Sequence, residues 1–316
     1  MRAAGIDLGG TKIELQVFGD DWEVVARKRV PTPQTYDALI AALAGLVTWT
    51  DTQAGYQVPL GIGAAGLINP ATELALTANL CATGRPLHRD VERAAGREVV
   101  FINDCRALAL SEAIFGAGKG HHTVMSLILG TGVGGGVAIG GDIHAGPTMT
   151  GGEFGHMSAP AHLVEQYGLP IVQCGCGRRG CSETYIAGPG MSRIAETIMG
   201  ARVSPPDIIA QRATDPLAQR VWEIWCAFTA DLLCNLTLAV DPDVIVIGGG
   251  LSKIDGVIEA LTAATQNAQF GDFAIPAIVL AQGGDASGAR GAAYAGFQHQ
   301  QAQAFDLGTS EHAKGE

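Results

Sequence analysis

Cys174, Cys176 and Cys181 lie in one short stretch, Cys174-Gly175-Cys176-Gly177-Arg178-Arg179-Gly180-Cys181-Ser182-Glu183, and His156 closes the segment Gly152-Glu153-Phe154-Gly155-His156 upstream. Three thiolates and one imidazole make a complete tetrahedral donor set for Zn2+. A complete set is structural, because it leaves no position for water or substrate. Chemistry here then falls to the carboxylates beside the donors, Glu153 and Glu183. The competing reading is three reduced thiols in a glycine-rich loop, since the commoner zinc spacing is Cys-x2-Cys and His156 lies well upstream. Glycines between closely spaced cysteines let the backbone wrap an ion, which favours the metal.

Two other segments place glycine where a side chain would keep a phosphate away. Gly5-Ile6-Asp7-Leu8-Gly9-Gly10-Thr11-Lys12 and Leu129-Gly130-Thr131-Gly132-Val133-Gly134-Gly135-Gly136-Val137 both read as strand, glycine turn, strand. Backbone N–H groups of such turns approach phosphate oxygens, and Thr11 and Thr131 add hydroxyl donors. Gly130, Gly132 and Gly135 spell Gly-x-Gly-x-x-Gly, but a dinucleotide fingerprint needs a helix to follow, and here a strand does. There is no Gly-x4-Gly-Lys-Ser/Thr, so the segment is not a P-loop. Tight hairpins without a ligand are the alternative, and glycine density beyond what a turn needs favours phosphate. Two such hairpins far apart in the chain imply duplicated halves facing each other across a cleft.

The 316-residue chain is 47% hydrophobic and 16% charged, enough apolar sequence for two domains and too much for a disordered chain. Its seven cysteines are odd in number, with Cys81, Cys105, Cys226 and Cys234 scattered. They do not make a disulfide framework, and a reducing cytoplasm fits them best. Asp7 interrupts what would have to be the apolar core of a signal peptide, so no secretion signal is expected. The uncharged run 124–141 nears the length of a membrane span, but seven of its residues are glycine, so it reads as two strands and a turn and no membrane contact is expected. A net charge of −11 argues against nucleic acid, whose binding needs a basic face to displace counterions.

The elements that must carry these groups follow from periodicity. A helix is expected over 36–47, strands over 58–63 and 99–102, and a helix over 107–115. Asp104 thus stands where a strand ends and a helix starts, and a carboxylate there either caps the helix or projects into a cleft. Helices over 205–212 and 217–240 precede a strand over 244–247 that ends in Gly248-Gly249-Gly250. A glycine-rich segment at 283–293 leads to a short last helix, and 301–316 reads as a polar tail without structure.

Taken in order, the first glycine turn, Asn103-Asp104, the second glycine turn, Gly152 to His156 and the cysteine knuckle resemble the ROK family of sugar kinases and repressors, and within it the bacterial N-acetylglucosamine kinases. The resemblance covers residues 4 to about 297. It implies an actin-like, hexokinase-type (ribonuclease H-like) α/β fold with two α/β domains around a cleft: 1–116 plus about 290–300, and 117–289. It also implies Asp104 as catalytic base, with Asp104, Asn79, Asn103, Glu153, His156 and Glu183 contacting the sugar. His156, Cys174, Cys176 and Cys181 match its zinc ligands, Gly5 to Lys12 and Gly130 to Val137 its ATP loops, and Gly248 to Gly250 lie near the nucleoside. Two departures bear on the sugar pocket. Cys105-Arg106 stands where Asn-Asp is usually followed by Ala-Asn, and Ala64-Ala65-Gly66 where a Pro-Gly turn is common.

Phosphoryl transfer needs positioning and charge neutralisation more than covalent help. Asp104 would accept the proton of the sugar 6-hydroxyl as it attacks the γ-phosphorus of ATP, and Asp7 would hold Mg2+ through water. The expected substrate is N-acetylglucosamine, which the resemblance of the Glu153 to His156 segment and the knuckle implies, and Ala64, Ala65 and Gly66, with Thr148 and Thr150, could supply the room an acetamide needs. Fructose, glucose or mannose is the alternative. A repressor of the same family would carry a helix-turn-helix before the first hairpin, which here begins at residue 4. A catalytically silent sugar-binding regulator would have little use for both phosphate turns together with Asp104. The resemblance also implies a homodimer.

Overall fold

The computed structural model describes residues 1–284 and 287–312. In chain order its elements begin β1 (Ala3–Leu8), β2 (Lys12–Phe18), β3 (Val24–Pro31), α1 (Tyr36–Ala54), β4 (Leu60–Ala64), β5 (Gly66–Ile68), β6 (Ala75–Thr77), α2 (Leu87–Ala95), β7 (Val100–Asn103) and α3 (Asp104–Phe115). There follow β8 (Thr123–Leu129), β9 (Val133–Ile139), β10 (Asp142–Ile143), α4 (Ala161–Gln166), α5 (Glu183–Ile186), α6 (Gly188–Met199), α7 (Pro205–Gln211), α8 (Pro216–Val240), β11 (Val244–Gly248), α9 (Val257–Ala268), β12 (Ala277–Leu280) and α10 (Ser287–His312). The chain forms two compact units. Unit 1 holds Met1–Gly116, Gly141–Gly151 and the C-terminal segment from Gly283; unit 2 holds Ala117–Gly140 and Gly152–Gln282.

Unit 1 is built on a sheet of order β3-β2-β1-β4-β7. The β1–β2–β3 pairs are antiparallel, while β4 runs parallel to β1 and β7 parallel to β4. Register sets Leu8 opposite Ala64 and Ala64 opposite Asn103, so three parallel strands end side by side. α1 buries Leu39, Leu43, Leu46 and Val47, one stripe at helical spacing, in a cluster with Ile6, Leu8, Ile13, Leu15 and Ile62. α10 packs on β1, β4 and α3. Glycines permit that approach: a Cβ on Gly5 would lie 1.8 Å from the Ala289 carbonyl oxygen, and one on Gly61 1.9 Å from that of Ala292. No side chain fits at either place.

In unit 2, four strands of the second sheet run in the order β9-β8-β11-β12. The β8–β9 pair is an antiparallel hairpin, and β11 and β12 continue in parallel. Each unit thus repeats one pattern, a hairpin followed by two parallel strands, which gives the two glycine turns a common structural setting. The core gathers around α8, whose first turn is capped by the Asp215 carboxylate accepting from the Leu217 N–H. By length and composition α8 could cross a membrane. Here Trp225, Phe228, Leu232 and Leu233 bury it in a protein core, and the Tyr185 ring stacks on Phe228 at 4.8 Å.

The C-terminal segment differs from the sequence expectation. Instead of a short helix and an unstructured tail from 301, α10 runs on to His312. Gln and Ala, frequent at 299–304, are good helix formers that carry no apolar periodicity, so the pattern that marks a packed helix is missing. Residues 313–316 lie outside the described residues. If the glycines of β1 and β4 admit α10, Gly61→Ala should overpack this contact and destabilise the protein by about 1–3 kcal/mol or more, read as a lower midpoint in urea unfolding.

Candidate functional site

The unit 1 groups gather where β7 becomes α3. Asn103 is extended, and its side-chain oxygen accepts from the N–H groups of Cys105 and Arg106 at 3.0 and 3.2 Å. Asn103, not Asp104, is therefore the helix cap. Its amide nitrogen donates to the Gly66 carbonyl at 3.2 Å and to Asp104 Oδ1 at 3.0 Å, and the Cys105 N–H lies 2.9 Å from the same Oδ1. Burial pushes the Asp104 carboxyl above the usual aspartate range, and hydrogen bonds from the Cys105 N–H and thiol and from Asn103 pull the other way. Desolvation that raises a carboxylate toward neutral pH makes it a better proton acceptor for an alcohol.

The first glycine turn closes through a hydrogen bond from the Gly9 N–H to the Lys12 carbonyl, 3.1 Å. Asn79 adopts a left-handed conformation, φ 59°, and lies against it. A Cβ on Gly10 would come within 2.9 Å of the Asn79 Cβ. Asp7 sits on β1 facing Gly288 at the start of α10, where a built Cβ would be 3.3 Å from the carboxyl carbon. The structure thus brings Asn79 to the first turn and Asn103 to Asp104 within unit 1.

In unit 2 the four donors converge. The ligand atoms of His156, Cys174, Cys176 and Cys181 all lie within 4.8 Å of one another and could hold a metal ion. His156 Nδ1 is 3.6 Å from the Cys174 sulfur, and the Cys176 and Cys181 sulfurs are 3.6 Å apart. The other ring nitrogen of His156, Nε2, faces Glu153 at 3.7 Å. Gly177 and Gly180, φ 88° and 72°, bend the knuckle in conformations that other residues rarely adopt. Without a metal, burial and the neighbouring thiols and Glu183 push the Cys174 thiol up to about 12. Burial also opposes ionisation of Cys176, but hydrogen bonds from the Arg178 N–H and from the Cys174 and Cys181 thiols bring it down to about 7.

Glu183 ties the knuckle to the second glycine turn. Its Oε2 accepts from the Val133 N–H at 2.8 Å, and its Oε1 lies 3.5 Å from the Cys174 sulfur. Each carboxylate oxygen has a second lone pair, so capacity for a further donor remains. The turn closes from the Gly130 N–H to the Gly132 carbonyl, 3.1 Å. Its glycines answer different needs. A Cβ on Gly135 would lie 2.1 Å from the Ser126 carbonyl oxygen on the paired strand and 2.8 Å from the Phe154 ring, so packing demands that glycine, whereas nothing lies closer than 3.9 Å to one on Gly130.

A hollow of about 600 Å³ opens beside this turn, with Gly130, Thr131 and Gly250 among its walls. Gly249 stands just behind, its φ of 89° and its approach to the Leu129 carbonyl both requiring glycine. Gly188, Ser192 and Arg202 also line the hollow, and sequence reasoning missed them. The signal available was Gly188-Pro189-Gly190, a proline in the first turn of α6.

The chain matches the ROK family over residues 3–298. It is 39% identical over 295 residues to an N-acetylgalactosamine kinase of a Shewanella species, covering 92% of this chain and 96% of that one. It is equally 39% identical to an N-acetyl-D-glucosamine kinase of Pasteurella multocida, covering 92% and 97%. Among solved structures it superposes on a ROK hexokinase from Thermus thermophilus with a TM-score of 0.81 and 33% identity, over 93% and 97% of the two chains. The fold is the actin-like, hexokinase-type α/β fold, and the chain belongs to the ROK family.

Proposed function

We propose that the protein transfers the γ-phosphoryl group of ATP to the 6-hydroxyl of N-acetyl-D-glucosamine, giving N-acetylglucosamine 6-phosphate and ADP. The observation that carries this reading is Asp104, desolvated at the end of β7 and steadied by Asn103, in a chain whose relatives bear the names of amino-sugar kinases. Asp104 accepts the hydroxyl proton as the oxygen attacks phosphorus. Asn79, Asn103, Glu153, His156 and Glu183 are the residues we assign to the sugar hydroxyls. Both glycine turns offer backbone N–H groups to phosphate oxygens, and the hollow lined by Thr131, Arg202 and Gly250 takes the nucleoside. Asp7 suits Mg2+, a hard ion held through retained water, which when bound neutralises phosphate charge.

The thiol and imidazole cluster fits Zn2+. Bonds of about 2.3 Å to sulfur and 2.0–2.1 Å to nitrogen make tetrahedral edges of about 3.8 Å between sulfurs and about 3.6 Å between sulfur and nitrogen. The Cys176–Cys181 sulfurs and the Cys174 sulfur and His156 Nδ1 are each 3.6 Å apart, and all four donor atoms lie within 4.8 Å of one another. With Nδ1 turned to the thiols, His156 presents Nε2 to Glu153, and the metal site serves to orient these two side chains. A second amino sugar, N-acetylgalactosamine, is favoured by the Shewanella relative. It keeps the acetamide and differs only in the hydroxyl at carbon 4.

Three outcomes are expected. Asp104→Asn should leave a folded, sugar-binding protein whose kcat falls about 10²- to 10⁴-fold in coupled ADP assays; the acid limb of the wild-type kcat/KM profile should lie above the ordinary aspartate pKa of about 3.9. Elemental analysis of protein purified without chelator should find about one zinc per chain, and Cys176→Ser should lose metal and sugar affinity together. Across a panel at equal concentration, ADP release should be fastest with N-acetylglucosamine. A higher kcat/KM for N-acetylgalactosamine would move the assignment to the second amino sugar, and one for fructose, glucose or mannose would refute it.

A further inference from the structure

Arg106 stands where the family resemblance led us to expect asparagine, two positions after Asp104. It is almost wholly buried, at 2% exposure. Its Nε donates to the Gly151 carbonyl at 2.8 Å and its Nη2 to the Met149 carbonyl at 2.7 Å. The planar guanidinium presents these donors in a fixed fork, so it grips two carbonyls at a set spacing. The gripped segment is a closed loop: the Met149 N–H donates to Gly146 O at 3.2 Å and the Gly151 N–H to Ala145 O at 3.1 Å. Within it Met149 holds φ 56°, a left-handed conformation that a methionine keeps only where its surroundings impose it. Arg106 and Met149 also wall a hollow of about 30 Å³, with Ala64, Gly66, Leu67 and Asn103 around it. That is room for one water or one methyl group. After Gly151 the chain leaves unit 1 and runs directly into Gly152-Glu153.

We propose that Arg106 is a positioning residue that sets sugar discrimination. It clamps the 145–151 loop onto α3, so that Met149 keeps the hollow beside Asn103 at the size of one methyl group, and the hollow takes the methyl of the substrate's acetamide. A free hexose leaves this hollow unfilled. The consequence for substrate rests on the amino-sugar kinase reading; the clamp itself does not.

Arg106→Lys retains the charge but loses the fork, and Met149→Gly removes the wall while accepting the left-handed backbone. The readouts are kcat and KM for N-acetylglucosamine, glucose and ATP, together with hydrogen exchange of the 145–151 amides. Both variants should lower the N-acetylglucosamine to glucose ratio of kcat/KM by about tenfold or more, chiefly through the KM of the amino sugar, with the KM for ATP within about twofold of wild type. Arg106→Lys should also speed exchange across 145–151. An unchanged ratio in both variants, or an equal rise in both KM values, overturns the role in discrimination; unchanged exchange overturns the clamp. If Arg106→Lys does not fold, Met149→Gly decides the ratio. If the wild type phosphorylates no N-acetyl sugar, the functional reading fails, and the exchange measurement still decides the clamp.

Discussion

The hydrogen bonds that the Asn103 side chain accepts from the first turn of α3 are the constraint on which the Asp104 end of unit 1 depends. A helix begins with N–H groups that have no partner, and Asn103 takes two of them. A cap of this kind contributes about 1 kcal/mol, but its structural effect is larger than its energy. It fixes where β7 stops and α3 starts, and with that the direction of the next three side chains. Asp104 leaves the turn beside the cap, and Arg106 is driven under it into the 145–151 loop. The same amide reaches the Gly66 carbonyl, so the segment after β4 is held to the segment after β7. One side chain thus aligns two of the three strand ends that register had brought level.

Unit 2 achieves a comparable alignment by a different route. Its second glycine turn belongs to a hairpin, and a hairpin turn alone leaves the N–H of Val133 directed at solvent or at a ligand. Glu183 takes that N–H with one oxygen and lies near Cys174 with the other, so a cysteine cluster distant in sequence bears directly on the turn. His156 extends the linkage, with one ring nitrogen toward the thiols and the other toward Glu153. The donor cluster and the two carboxylates, Glu153 and Glu183, are thus neighbours in space. The cost of this design is conformational, borne by Gly177 and Gly180 in the knuckle.

Much of this was legible in the chain. The alternation of apolar residues around Gly9-Gly10 and around Gly130 to Gly136 announced two hairpins, and both are present. The apolar run that becomes β7 and the helix after it placed Asp104 at a strand end. What the chain did not disclose was which neighbour caps α3, since Asn and Asp are both good caps and adjacent in sequence. It also gave no sign that Gly135 is required by the Ser126 carbonyl and the Phe154 ring, because a glycine needed for packing and a glycine needed for a phosphate look alike. α10 was undercounted because a helix end without an apolar stripe has no periodicity to read.

What the sequence by itself determined about this protein is therefore its local vocabulary: two glycine turns, a thiol and imidazole donor set, and a carboxylate at a strand-to-helix junction. These depend on residue type and short spacing, which act over a few residues and survive without any knowledge of the fold. Only the tertiary structure decided the partnerships. That Arg106 meets Met149 and Gly151, that Glu183 meets Val133, and that Asn79 lies against Gly10 follow from strand register and from helices packed on sheets. Those contacts join residues tens of positions apart, and their geometry comes from burying the whole apolar surface at once rather than from any one segment.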